Sequence, residues 1–73
     1  MSISAAGSAV DVTEAARQLE QATHDARVAY DCIELGELDR AHTHAITARA
    51  AVDAAETILR AALTSGASVT GDL

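Results

Sequence analysis

Between Gly7 and Gly66 this chain offers a single inexpensive exit from a helix, Gly36, and it contains no proline at all. Glycine takes the left-handed backbone that ends helices, and proline ends them by removing a donor. With neither elsewhere in that stretch, a helix nucleated before Gly36 has reason to run up to it, and one nucleated after it has reason to run to Gly66. Strand is a poor competitor, because alanine dominates and Tyr30 is the lone aromatic residue.

The helix ends are readable on the same grounds. Asp11 followed three residues later by Glu14 fits a capping box, in which each side chain satisfies an orphan N–H of the first turn. This predicts helix 1 over about 12–35, ~36 Å long at ~1.5 Å per residue. Helix 2 is predicted over about 38–64. Two nearly equal helices with a tight connection lie antiparallel. The predicted fold class is therefore all-α, an antiparallel two-helix hairpin occupying 11–65. Residues 1–10 and 66–73, rich in Ser, Thr, Gly and Ala, are expected to be flexible tails.

Apolar residues at alternating spacings of three and four suggest a coiled-coil-like seam. On helix 1 they are Val12, Ala15, Leu19, Ala22, Ala26, Ala29 and Ile33. On helix 2 they are Leu38, Ala41, Ala45, Ala48, Val52, Ala55, Leu59 and Ala62. On this reading Val28, Cys32 and Leu35 form a second stripe on the far side of helix 1. Ile46, Ala50, Ala54, Ile58 and Ala61 add small and apolar surface to helix 2 beyond what the hairpin covers. A helix apolar over most of its circumference is normally buried on more than one side. A 73-residue chain with a single cysteine has neither a large core nor an internal disulfide to stabilise it. Pairing with a second copy into a four-helix bundle, through Val28, Cys32, Leu35, Ile46, Ala50, Ala54, Ile58 and Ala61, is the expected solution.

Charge narrows the choice of partner. Eleven acidic residues against five arginines and no lysine give a formal net charge of −6, which repels a phosphate backbone. No segment approaches the ~20 apolar residues of a membrane span, and the first ten residues do not read as a secretory signal. The expectation is a cytoplasmic protein that binds neither nucleic acid nor membrane. Its partner is expected to be a second copy or a larger protein that this acidic hairpin caps as an inhibitor, antitoxin or accessory subunit.

Chemistry is harder to assemble. Asp39 and His42 stand three apart on one helix face, but His42 and His44 project about 200° apart, and His24 lies several turns away. Metal binding, even across a dimer, has no recognised spacing behind it, so no metal and no cofactor are expected. His44 is instead placed to receive a hydrogen bond from Tyr30. Cys32 has no neighbouring base or cation to activate it. Glu20 with His24, Arg27 with Asp31, Arg49 with Asp53, and Glu56 with Arg60 fall at i,i+4, the signature of a solvated face. An alanine-packed hairpin also leaves little room for an enclosed pocket of ~300 Å³, and the expectation is a protein that is not an enzyme.

The turn region, Ala29–Tyr30 followed by Leu-Gly-Glu-Leu-Asp-Arg-Ala over 35–41 and Ala48 beyond, resembles one tetratricopeptide-type hairpin at Gly36, Ala41 and Ala48. Helix 1 is longer than that unit, its aromatics are missing and no second repeat follows, so no family is assigned on it.

Overall fold

The computed structural model describes residues 11–65, and the segments expected as tails lie outside the described residues. Two helices, α1 (Val12–Glu34) and α2 (Leu38–Thr64), pack against each other as a hairpin.

The start of α1 departs from the capping box. Asp11 caps it, its side chain accepting from the Thr13 N–H at 2.9 Å, while its carbonyl accepts from the Glu14 N–H. The Glu14 carboxylate does not turn back to Asp11. It accepts from Arg17 at 2.6 Å and Gln18 at 2.9 Å. Two side-chain donors one turn ahead thus replace the expected backbone partner.

The turn is a Schellman motif. Leu35 is the C-cap, so α1 closes one residue earlier than its pattern suggests. Gly36 follows with φ +77°, its N–H donating to the Ile33 carbonyl at 3.0 Å while the Glu37 N–H donates to Cys32 at 2.8 Å. These two bonds satisfy carbonyls that the end of a helix leaves orphaned, and only glycine accepts that φ without strain. α2 then starts at once. Its threonines Thr43, Thr47, Thr57 and Thr64 each donate to the carbonyl four residues back, so hydroxyls inside a helix find partners locally.

The core is made of small side chains. Ala15, Ala22, Ala29 and Cys32 of α1 are buried against Ala41, Ala51, Ala55 and Ala62 of α2. No large side chain is fully buried among the described residues. The alanine line at 15, 22 and 29 and its counterpart at 41, 55 and 62 lie where the repeat predicts them. The flanking line does not.

On α1 the helix is rotated so that Gln18, Asp25 and Cys32, not Leu19, Ala26 and Ile33, accompany those alanines toward α2. On α2, His44, Ala51 and Ile58 replace Ala45, Val52 and Leu59. Two heptad frames share the central alanines; their flanking lines lie about 100° apart, so the helix is turned by about 50° from one frame to the other. The frame adopted uses smaller residues at Cys32 and Ala51 and allows two polar side chains from opposite helices to satisfy each other.

Candidate functional site

That polar contact lies inside the seam. Asp25 is buried, and its Oδ1 accepts from His44 Nδ1 across the hairpin at 3.2 Å. Gln21, one turn earlier on α1, donates to Oδ2 at 2.9 Å. The Gln21 hydrogen bond, then the His44 one, hold the Asp25 carboxyl below its usual range. Desolvation opposes them and loses, since a two-helix layer covers the carboxylate without surrounding it with a deep apolar interior. Among the described residues no buried side-chain polar atom lacks a partner.

This contact corrects one expectation directly. His44 is engaged by Asp25 and not by Tyr30, which is exposed with the Arg27 guanidinium 6.0 Å from its ring centre. His24 and His42 are exposed, and among the described residues no three His, Cys, Asp or Glu side chains converge as a metal set would.

The rotation also redistributes the residues expected at a second interface. Cys32, expected outside, is 4% exposed within the hairpin. Val28, Ala54 and Ile58 are half-buried along its edge. Leu35, Ile46, Ala50 and Ala61 remain exposed. The residues expected in the seam take the outward place instead, with Ile33 56%, Leu38 66% and Val52 46% exposed, alongside Leu19, Ala26, Ala45 and Leu59.

Three of these outward residues, Leu19, Val52 and Leu59, meet in a groove, and Ala26 lines a separate hollow with Thr23, Arg27 and Tyr30. The groove, of about 540 Å³, is lined by Leu19, Val52, Ala55, Leu59 and Leu63 together with Glu56, Arg60 and Thr64. It lies at the surface and is not the enclosed pocket for which such a hairpin has little room. Because seven residues complete nearly two turns, the face carrying Leu19 also carries Ala26 and Ile33, and the face carrying Val52 also carries Ala45 and Leu38. The hairpin thus has an aliphatic side whose larger members are the leucines, isoleucine and valine absent from its core.

The groove also carries charge. Arg60 donates twice to Glu56, at 3.1 and 2.9 Å, which lowers the Glu56 carboxyl and raises the Arg60 guanidinium from their ordinary values. Glu14 with Arg17 and Glu37 with Arg40 complete the arginine–carboxylate pairs of the described residues. All three pairs are solvated and contribute little to stability. Of the i,i+4 pairs expected from sequence, Glu56 with Arg60 is the one formed among the described residues.

No described helix is long and apolar enough to cross a membrane. Comparison with known protein families, curated proteins and solved structures found no match.

Proposed function

We propose that this protein is a small non-enzymatic interaction module that associates with a second copy of itself through the aliphatic side of the hairpin. The observation that carries this reading is the inversion of size between inside and outside: alanines fill the seam while Leu19, Ile33, Leu38, Val52 and Leu59 face outward.

The physical reason is the hydrophobic effect on a thin core. Burying an alanine methyl removes little apolar area from water, whereas each large aliphatic side chain is worth ~1.5–3 kcal/mol when fully buried. A chain of this size needs that contribution. Monomers seldom expose so much aliphatic surface unless something covers it. The groove on this face is mostly nonpolar, with Glu56 and Arg60 its charged lining residues, a composition that suits docking of an apolar surface.

The test is mass in solution. Sedimentation equilibrium at micromolar concentration is expected to give twice the 7.5 kDa chain mass. Val52→Asp, which places a carboxylate in the middle of the face, is expected to give a helical monomer. A wild-type chain that remains monomeric and fully helical at tens of micromolar overturns the proposal.

A further inference from the structure

The aliphatic side is not uniform along its length, and its pattern selects one way for two copies to meet. Counting outward from Gly36, a residue i of α1 stands level with residue about 72 − i of α2; the groove, which brings Leu19 together with Val52, agrees with that count. The face then divides into four layers. Nearest the turn stand Ile33 and Leu38, and next come Ala26 and Ala45. Leu19 and Val52 form the third layer, and Val12 and Leu59 the fourth. Seven residues, about 10.5 Å, separate one layer from the next. Three layers are bulky and one, Ala26 with Ala45, is shallow; on α1 it is a hollow at Ala26 bordered by Thr23, Arg27 and Tyr30.

Resting on the self-association proposed above, we infer that two copies pack face to face about a twofold axis crossing the helices at mid-length, with their Gly36 turns at opposite ends. This operation exchanges the second layer with the third. Leu19 then enters the depression at Ala26 of the second copy, and Val52 the depression at Ala45. The outer layers exchange likewise, Val12 meeting Ile33 and Leu38 meeting Leu59.

With both turns at the same end, each layer would meet its own kind. The alanine layers would face each other across a gap while bulky layers met bulky layers, and both voids and overpacking are destabilising. The available area suits a second copy: a face ~35 Å long and ~18 Å wide gives about 600 Å² per chain, or about 1,200 Å² in total, at the lower edge of stable interfaces. The same axis sets His42 beside Glu56 of the second copy and Arg49 beside its own counterpart. All three are exposed, so these meetings shift the balance little.

The experiment is a distance measurement between nitroxide labels on the otherwise full chain carrying Cys32→Ala and Glu34→Cys. Turns at opposite ends place the two labels about 35 Å apart along the bundle, whereas turns at one end place them within ~20 Å. Absence of dipolar coupling in the labelled chain, together with a monomeric wild-type chain, removes the self-association and this arrangement with it; a short distance in a stable dimer overturns the arrangement alone. Ala26→Leu, an exposed change that leaves the hairpin seam intact, gives an independent reading. It is expected to weaken the dimer at least about tenfold by filling the depression, with Leu19→Ala added to it restoring affinity. Tighter association on Ala26→Leu alone overturns the inference.

Discussion

Asp25 and His44 meet across the seam at 3.2 Å, a carboxylate of one helix accepting from an imidazole of the other in a layer otherwise built of alanine and cysteine. With Gln21 donating to its second oxygen, Asp25 has a lower affinity for a proton when folded than when unfolded. Its contribution to stability is therefore fully present above the unfolded value of about 3.9 and is lost as pH falls through the lower folded value. NMR titration of the Asp25 carboxyl should give a midpoint below that of an ordinary aspartate. Gln21→Ala should move it back upward, because the Gln21 bond is the largest cause of the shift. A wild-type midpoint at or above the ordinary value contradicts this geometry.

Gly36→Ala should lower stability by about 1 kcal/mol or somewhat more, and Gly36→Asn by less. Nothing lies within 4 Å of the position a Cβ would take, so the loss is conformational and not steric. Urea unfolding measures it; an unchanged midpoint for the alanine variant would show that the left-handed turn is dispensable.

Asp11→Ala should cost about 1 kcal/mol by freeing the Thr13 N–H that the aspartate caps. Glu14→Ala should cost less, since its carboxylate engages the exposed Arg17 and Gln18 side chains and not the backbone of Asp11. Equal losses in urea unfolding would restore the capping box that the structure replaces.

Cys32 lies in the seam, so a thiol reagent should reach it only when the helices part. Its labelling in the native protein should be on the order of a hundredfold slower than in denaturant. Rapid native labelling would place Cys32 on the outside, as its sequence pattern first suggests.

If two copies associate, Tm should rise by several degrees for each large increase in protein concentration, because mass action favours the bound folded state. Val52→Asp should remove that dependence. Calorimetry at two concentrations separates the cases, and an invariant wild-type Tm counts against self-association.

Periodicity was informative about everything that depends on a shared spacing and silent where two spacings compete. Gly36 and the lack of proline were enough for two helices and their turn, and Ala15, Ala22 and Ala29 belong to the seam in either frame. The rest turned on Asp25, which a pattern search counts as surface because an isolated carboxylate is expensive to bury. Its partner, His44, lies 19 residues away, beyond the reach of local pattern. The available signal was Gln18, Asp25 and Cys32 at seven-residue spacing, matched by His44, Ala51 and Ile58. Aliphatic size outweighs that signal in the repeat and favours Leu19, Ile33 and Val52 as the inner row. The same residues define the candidate site once the rotation is known, so the pattern identified the greasy rows but misjudged which way they face.

The single turn at Gly36 has a geographic consequence. Asp11 and Ser65 stand at the same pole of the hairpin, so anything attached to either terminus is launched from one end. A pair of hairpins with opposed turns would hold two such launching points roughly 40 Å apart. The assembled rod would then act as a spacer with a handle at each tip.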